Sequence, residues 1–226
     1  MTITVVIPVL NEEQTIVATL RHTASLDVNE IVVVDGGSTD QTRAEAEALG
    51  LARVLTSQPG RARQLNAGAK ASRSEILLFL HADTRLPDRA RQSIESALAD
   101  PAVVGGRFDV RFDSHSAWSR IISTFMNLRS RLTRISTGDQ AMFVRRHIFE
   151  QLGGFSDIPL MEDIEFSTRL KRTGPTRALH DTVTTSFRRW EQQGPLRTVL
   201  LMWTLRLLYW IGVSPHRLTR FYTVIR

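Results

Sequence analysis

Cysteine is absent from this 226-residue chain. Without thiols the protein can form neither a disulfide framework nor a thiolate metal site, so a metal ion would need carboxylate or phosphate oxygens or imidazole nitrogen. The features of a secretory signal are also missing, because MTITVVIPVL has no basic start, is too short for an apolar signal core and contains Pro8. We therefore expect a cytoplasmic protein whose first residues form a buried strand.

Acidic residues are scarce at the C-terminal end. Residues 169–226 contain 11 Lys or Arg but only two Asp or Glu, whereas residues 1–168 carry a net charge of −3. A basic tail of this kind can meet phosphates or an anionic membrane surface. The tail lacks the interleaved aromatic and basic residues of nucleic-acid modules, so we expect no nucleic-acid partner.

Short apolar runs alternate with helical stretches through the first hundred residues, as in ITVVIPV, EIVVVD, ARVLTS and EILLFLH. Continuous apolar strands joined by helices predict an α/β fold, with a mainly parallel sheet flanked by helices on both faces. Ligands of such sheets bind beyond the carboxyl ends of the strands. Asn11, Asp35 and Asp83 all follow strand ends, so we expect them to converge on one crevice.

The stretch VVVDGGSTDQT contains more than a strand-to-helix turn requires. Asp35 closes the strand, Gly36 and Gly37 let the backbone approach a ligand, and Ser38 or Thr39 can cap the next helix. A carboxylate here can accept hydrogen bonds from a nucleobase or a ribose hydroxyl. A simple capped turn with a solvated Asp is the alternative interpretation.

Two other segments suit phosphate and nucleotide binding. In PVLNEE, Asn11 and Glu12 either cap a helix or border a ligand held beside Asp35. In PGRARQLNAGA, Arg61 and Arg63 stand at a helix start, where cations oppose the helix dipole unless an anion is bound. An exposed basic turn is the other interpretation.

Two later segments place further carboxylates where we expect the crevice. LLFLHADTRLP places His81 and Asp83 after an apolar strand, a half-site for Mg²⁺ or Mn²⁺ whose other ligands would be diphosphate oxygens and water. LMEDIEFSTRLKRTG places Glu162 and Asp163 at the opening of a helix. They are either helix caps or, facing the crevice, a general base and its neighbour.

The ordered set VVIPVLNEE, VVVDGGSTDQT, GRARQLNAGA, LLFLHADT, GDQAMFVRRHIFEQLGGF and MEDIEFSTRLKRTG resembles the family 2 glycosyltransferases. These are inverting enzymes of GT-A fold that use nucleotide-diphosphate sugars. The resemblance covers roughly residues 3 to 174. It implies a donor site in which Pro8, Asn11 and Glu12 border the nucleotide. Asp35 would read the base, and Arg61 would lie near the nucleotide or the diphosphate.

The resemblance also implies the reacting centre. Asp83 corresponds to the last Asp of the family's DxD motif, which meets the metal, while His81 replaces the first Asp. Asp163 matches the Asp of the ED motif, the implied catalytic base, with Glu162 beside it. A single displacement would then invert the anomeric configuration. The family shapes its acceptor side and donor sugar pocket at positions that match Gly138, Asp139 and Gln140.

The segment SFRRWEQQG is similar to the second half of the QxxRW motif of membrane-associated members. Arg189 and Trp190 match, while Ser186 stands where Gln would be. The resemblance implies that Arg189 steadies the leaving diphosphate and that Trp190 forms a stacking wall. Together with GVSPHRL, these pieces are similar to a small bacterial subgroup assigned to arsenosugar biosynthesis or to glucosylation of a carotenoid acid.

The last helical segment, LRTVLLMWTLRLLYWIGV, is apolar almost all round. Arg197 and Arg206 lie half a turn out of phase at about 100° per residue, so no clean amphipathic stripe is predicted. Spanning a membrane is disfavoured, because an arginine near the centre costs roughly 2.5 to 3.5 kcal/mol. Packing on the body or on a second copy stays open, but we expect peripheral contact through 196–213 with the inner face of the cell membrane.

These observations predict a GT-A catalytic domain over residues 1–190 and a basic, apolar helical appendage over 191–226. The predicted activity is transfer of a sugar from a nucleotide-diphospho-sugar, with a UDP-sugar favoured, to a hydroxyl or carboxyl acceptor that is lipid-like or an arsenosugar precursor. A sugar-phosphate nucleotidyltransferase is an alternative, but its GxGTR loop is missing after the first strand. A non-catalytic nucleotide-sugar-binding protein is the other.

Overall fold

The computed structural model of the protein describes residues 1–222. Its strands are β1 (Ile3–Val9), β2 (Glu30–Asp35), β3 (Arg53–Thr56), β4 (Ile76–Phe79), β5 (Thr84–Arg85), β6 (Gly105–Phe112), β7 (Phe143–Arg145) and β8 (Thr176–Thr185). Its α-helices are α1 (Ile16–Ala24), α2 (Thr42–Leu49), α3 (Arg61–Ala71), α4 (Ala90–Ala97), α5 (Ala117–Thr133), α6 (Arg146–Gln151), α7 (Glu162–Thr173), α8 (Arg188–Gln193), α9 (Pro195–Trp210) and α10 (Pro215–Leu218).

All eight described strands form one sheet in the order β3-β2-β1-β4-β7-β6-β8-β5. The first four strands in this order are parallel, as the alternation of apolar strands and helices predicts. Beyond β4 the sheet becomes mixed, because β7 runs antiparallel to both of its neighbours while β6 and β8 are parallel. The predicted α/β fold is confirmed, with its parallel pairing concentrated in the first half.

Helices cover both faces of the parallel half, and β1 shows how its residues are divided. Ile3, Val5 and Ile7 belong to the apolar core on one face, whereas Val6 belongs to the core on the other. All four side chains are fully buried. A strand buried on both faces is apolar at every position, which is why these strands can be recognised from sequence.

Strand β8 is not predicted by the sequence pattern. Its residues, TRALHDTVTT, are mostly polar and half-exposed, with only Val183 and Thr185 buried. The strand is stabilised by long parallel pairing with β6 and by a two-residue antiparallel pairing with β5. Because backbone pairing supplies this stability, no apolar run marks the strand.

The helix starts also differ from the expected ones. Helix α1 begins at Ile16 instead of near Glu12, and the Glu12 backbone N–H in the preceding loop donates to the Thr42 hydroxyl at 2.7 Å. Helix α2 begins at Thr42 instead of near Thr39, and Ser38 does not cap it. The Ser38 hydroxyl instead donates to Asp35 and accepts the Asn11 N–H. The two loops after β1 and β2 are thus joined to each other.

Helix α9 packs on the body through one face only. Leu205 is buried with Met161 and Leu218 in a small apolar cluster. The opposite face exposes large apolar side chains, namely Leu196, Leu200, Trp203, Leu207 and Trp210. Within residues 1–222, none of the helices has the length and apolar character needed to cross a membrane.

Candidate active site

A cleft of about 620 Å³ opens at the carboxyl ends of the central strands. It is bounded by the loops after β1 and β4, the start of α3, a 3₁₀ turn over Gly138–Gln140, the start of α7, and helices α5, α8 and α9. The predicted site residues that line it are Pro8, Glu12, Arg61, His81, Asp83, Gly138, Asp139, Glu162, Asp163, Arg189 and Trp190. Asn11, Asp35 and Gln140 stand behind this lining.

Asp35 shapes its own loop. Its carboxylate is only 3% exposed and accepts hydrogen bonds from the backbone N–H groups of Gly37 and Ser38 and from the Ser38 hydroxyl. Asn11, in the left-handed region at φ 56°, accepts the Thr39 N–H at 2.8 Å. Asp35 therefore fixes the loop after β2, and Asn11 joins that loop to the one after β1. Direct contact of Asp35 with a base stays a prediction.

The first glycine of this loop is needed for packing against Gln64. A Cβ at Gly36 would lie 2.9 Å from the Gln64 side-chain carbon Cδ. The Gln64 side-chain amide donates to the Val9 carbonyl of β1 at 2.7 Å and to the Val34 carbonyl of β2 at 2.9 Å. Gln64 is thus a structural organiser of the site that the sequence interpretation missed. Its only signal was its place within PGRARQLNAGA.

Asp163 is held at the cleft by a backbone donor. The Gly138 N–H donates to Asp163 Oδ2 at 2.8 Å, which joins the 3₁₀ turn to the start of α7. A Cβ at Gly138 would lie 1.6 Å from Arg61 Nη2 and 2.5 Å from His81 Nε2. Only glycine lets this backbone enter between the two side chains. The contact fixes the direction of the carboxylate before any substrate arrives.

Arg61 and Glu162 form an ion pair beneath Asp163. Arg61 Nε lies 3.2 Å from Glu162 Oε1, and Glu162 is buried. Burial raises the pKa of the Glu162 carboxyl; the Arg61 charge opposes this shift, and Asp163 adds to it. Burial opposes the charge of Arg61, but the surrounding carboxylates outweigh it and raise the Arg61 pKa. The pair holds the Arg61 guanidinium in the lining of the cleft.

His81 is engaged by Asp139. The His81 Nδ1 lies 3.3 Å from Asp139 Oδ1, and Nε2 is buried beside Gly138 with no hydrogen-bond partner among the described residues. Burial opposes ionisation of Asp139, but the hydrogen bond and charge of His81 and the nearby arginines lower the Asp139 pKa to about 2. His81 lines the cleft, and its role as a metal ligand stays a prediction.

Asp83 is better suited to a divalent cation. Its carboxylate lines the cleft, and its one hydrogen bond within the described chain is a weak one from the Thr84 hydroxyl at 3.4 Å to Oδ1. Carboxylate oxygen is a good ligand for Mg²⁺ and Mn²⁺. Residues 1–222 bring no three His, Asp or Glu side chains together as a complete metal site. The remaining ligands would have to come from elsewhere, such as diphosphate oxygens and water.

The C-terminal wall contributes further charge. The Arg189 guanidinium lies over the Tyr222 ring, 4.2 Å from its centroid, and donates through Nη1 to the Tyr222 hydroxyl. Its Nε and Nη2 are buried and unpartnered within the described chain. Arg188, which sequence interpretation passed over, approaches Glu12 at 4.0 Å. Burial raises the pKa of Glu12, and the Asp83 charge adds to this shift.

Trp190 forms part of the apolar wall beside these arginines. Its ring packs against Phe112 with centroids 5.8 Å apart and stacks on Phe187 at 6.2 Å. Gln140 is fully buried, and its side chain caps the 3₁₀ turn by accepting the Thr137 N–H at 3.2 Å. Gln140 therefore supports the turn that carries Gly138, from behind the cleft surface.

Comparison with known families agrees with this geometry. The family model described as Glycosyl transferase family 2 matches residues 4–153, two thirds of the chain. The chain belongs to this family. The resemblance inferred from the ordered motifs is thereby confirmed at the level of the family.

Individual relatives are similar to part of this chain. An undecaprenyl-phosphate 4-deoxy-4-formamido-L-arabinose transferase from Pseudomonas paraeruginosa is 33% identical over 159 residues. The match covers 64% of this chain and 46% of that relative, so the chain spans less than half of the relative's length.

Solved structures share the fold. The structure of residues 1–349 of S. aureus TarS with UDP-GlcNAc superimposes with a TM-score of 0.67 and 20% identity, covering 82% of this chain and 58% of that TarS chain. The mannosyltransferase PcManGT from Pyrobaculum calidifontis, in complex with GDP-Man and Mn²⁺, has a TM-score of 0.60 and 26% identity. That match covers 81% of this chain and 56% of PcManGT. The GT-A type of α/β fold is confirmed.

Proposed function

We propose that this protein is an inverting glycosyltransferase that moves a sugar from a nucleotide-diphospho-sugar to a hydroxyl or carboxyl acceptor. The observation that carries the proposal is the Asp163 carboxylate, oriented by the Gly138 N–H at 2.8 Å in a cleft that also contains Arg61, Arg189 and Asp83. A fixed base faces cationic groups suited to a leaving diphosphate. Membership of family 2 supports the same chemistry.

The proposed reaction is one displacement. An acceptor oxygen forms a bond to the anomeric carbon while the bond from that carbon to the diphosphate oxygen breaks. The nucleoside diphosphate leaves with the electron pair, and Asp163 accepts the proton of a hydroxyl acceptor. A carboxylate acceptor has no proton to lose. Attack opposite the leaving group inverts the configuration at the anomeric carbon.

The negative charge that develops on the leaving diphosphate must be neutralised. Arg61 and Arg189 are the protein groups proposed for this task, because both line the cleft and Arg189 keeps two unpartnered nitrogens. A Mg²⁺ or Mn²⁺ ion held by Asp83 would add Lewis-acid neutralisation of the same oxygens. Mn²⁺ in the PcManGT complex supports this proposal without separating the two metals.

The nucleotide is proposed to lie over the joined loops after β1 and β2. Pro8 and Glu12 face the cleft, while Asn11 and Asp35 hold the loop backbone behind them. We favour a UDP-sugar as donor, supported by the TarS complex with UDP-GlcNAc. GDP-Man in PcManGT makes a GDP-sugar the main competitor in the test.

The acceptor is proposed to be lipid-like, with a carotenoid acid or an arsenosugar precursor as the specific candidates from the subgroup resemblance. The half of the cleft formed by α5 and α9 is lined by apolar side chains, among them Ile121, Phe125, Met202 and Trp203. Such a wall suits an apolar chain better than a sugar phosphate. A lipid-linked acceptor in the name of the Pseudomonas relative supports this choice.

Peripheral contact with the inner face of the cell membrane is proposed for two helices instead of one. Helix α5 exposes Trp118, Ile121, Phe125, Leu128 and Leu132, and α9 exposes an equivalent row within 196–213. Residues 114–134 and 194–222 contain arginines but no Asp or Glu. Exposed apolar rows flanked by uncompensated positive charge fit an anionic lipid surface. The cleft would then open at that surface.

Donor use can be tested directly. The full chain would be incubated with Mn²⁺ and each of a panel of UDP-, GDP- and TDP-sugars, and nucleotide release would be followed together with thermal unfolding. A ligand at 100 times its dissociation constant adds about 2.7 kcal/mol to the free energy of unfolding. We expect stabilisation by one nucleotide family, lost in Asp83→Asn. Stabilisation by no donor in folded protein would refute the proposal.

A further inference from the structure

Two arginines in the apolar half of the cleft lack partners. Arg129 on α5 and Arg206 on α9 both line the cleft, and within residues 1–222 neither guanidinium makes a hydrogen bond or an ion pair. The Nε and Nη2 atoms of Arg129 are buried. Buried charged groups are normally paired, because removal from water is costly unless an opposite charge or hydrogen bonds offset it.

The two charges also influence each other. Burial and, next, the charge of Arg206 lower the pKa of Arg129 to about 10, while Asp163 opposes this shift. Burial lowers the pKa of Arg206, against the attraction of Asp163 and Asp139. The two cations thus line the same cleft, and no carboxylate of the described residues lies within ion-pair distance of either. Asp163, whose charge reaches both, is already bonded to the Gly138 N–H.

The surroundings of this pair are apolar. Ile121, Phe125 and Met126 of α5 and Met202 and Trp203 of α9 line the same part of the cleft. A free sugar or a sugar phosphate would leave this wall in contact with water. A ligand with an anionic head and an apolar chain would neutralise the arginines and cover the wall at once.

We propose that Arg129 and Arg206 form the subsite that binds the anionic head of an amphiphilic acceptor, whose apolar chain lies along α5 and α9. The head is a carboxylate or a phosphate monoester, since both present oxygens that guanidinium groups bind. This inference rests on the proposed glycosyl transfer and names the acceptor class for it. Because Arg129, Arg206 and Asp163 line the same cleft, the head lies close to the reacting centre.

The leaving diphosphate is a less suitable occupant of this pair. The donor end of the cleft has its own cations in Arg61 and Arg189, on α3 and α8, beside the strand-end loops. Helices α5 and α9 supply the apolar wall instead. The donor and the acceptor head thus have separate pairs of arginines, which makes their effects separable by mutation.

The test uses the full chain and three amphiphiles of equal chain length: dodecanoate and dodecyl phosphate, each below its micelle concentration, and dodecanol below its solubility limit. Binding is measured by calorimetry for the wild type and for Arg129→Gln and Arg206→Gln. Matched controls are Arg120→Gln on α5 and Arg197→Gln on α9, because both arginines are exposed. Binding of the nucleotide-sugar is measured on the same samples.

We expect at least one of the two anions to bind the wild type, and each cleft variant to weaken that binding about tenfold or more, as loss of a charged hydrogen bond predicts. The controls and the neutral dodecanol should show no such dependence. The tighter anion identifies the head group.

Three results would overturn the subsite. The first is that neither anion binds the wild type. The second is that dodecanol binds as tightly as the anions. The third is that the Arg129 and Arg206 variants weaken binding of the nucleotide-sugar only. Failure of every nucleotide-sugar to bind, with anion binding still dependent on the pair, would instead refute the proposed transfer and leave the anion site standing.

Discussion

The two sides of the cleft differ in how their charges are partnered. On the side formed by the strand-end loops, Arg61 pairs with Glu162 at 3.2 Å. His81 is likewise held by Asp139 at 3.3 Å. On the side formed by α5 and α9, the two inward-facing arginines have no carboxylate partner within residues 1–222. The loop side is therefore largely organised before a ligand binds, with Arg189 as its one exception among the cations named here. The α5–α9 side still needs an anion to complete it.

This difference indicates a division of labour. Preorganised charges stabilise a transition state efficiently, because they need not rearrange as charge develops. Unpartnered charges beside an apolar wall gain most from binding a ligand that neutralises them. We therefore assign chemistry and donor binding to the first side and acceptor selection to the second.

The largest expected effect comes from removing the oriented base. Asp163→Asn keeps the size of the side chain but cannot accept the acceptor proton, so transfer to a hydroxyl acceptor should fall by about 10²- to 10⁴-fold. Binding of the nucleotide-sugar should persist. Asp157→Asn is the control, because Asp157 pairs with Arg63 at an exposed position outside the cleft lining. Initial rates near wild type in Asp163→Asn would exclude it as the base.

A second prediction concerns Gly138, which lies between Arg61 and His81 on the loop side of the cleft. In Gly138→Ala the new methyl would collide with Arg61 and His81, at 1.6 and 2.5 Å. Overpacking of this kind costs about 1–3 kcal/mol, so we expect a lowered midpoint of thermal unfolding together with a lower kcat. Gly50→Ala measures the backbone cost alone, since φ is +63° there but nothing lies within 4 Å. Equal behaviour of the two variants would contradict the role of Gly138.

A third prediction concerns the exposed apolar rows of helices α5 and α9. Trp118→Glu and Trp203→Glu each place a charge in an exposed apolar row, so binding to vesicles containing anionic lipid should weaken about tenfold. Leu51→Glu changes an exposed leucine far from both helices and should bind like wild type. Sedimentation with vesicles at two salt concentrations measures this. Unchanged binding of both tryptophan variants would remove the membrane proposal.

The smallest effect concerns pH. The Asp139 pKa falls from 3.8 to about 2 in the folded protein, so its contribution to stability is present above pH 3.8 and is lost as pH falls towards 2. The variant Asp139→Asn should therefore lose less stability than wild type over this acid range. Chemical unfolding at several pH values provides the slope. A slope as steep as that of wild type would show that the pairing with His81 contributes nothing to folding.

Much of the partnered side could be predicted from sequence. Asp83 follows strand β4, and Glu162 and Asp163 open helix α7. Local pattern and the family resemblance together predicted the eleven residues that line the cleft. The inward bonding of Asp35 was not predictable. Its partners are backbone N–H groups, whose positions depend on the loop conformation.

The other side was harder to foresee. Arg129 and Arg206 resemble ordinary surface arginines in the sequence, because nothing local shows which helical face turns inward. The apolar row of α5 was likewise read only as part of a helix. The apolar sequence of helix α9 predicts burial on most sides, yet the helix leaves one face exposed.

By itself, the sequence determined the alternation of strands and helices, the family and the order of the donor-side motifs, because each depends on residues close together in the chain. Only the tertiary structure decided that Gly138 passes between Arg61 and His81. It also decided that Arg129 and Arg206, 77 positions apart in the numbering, share one cleft. The physical reason is that partnering and burial depend on which helices pack together, and distant parts of the chain contribute to that packing.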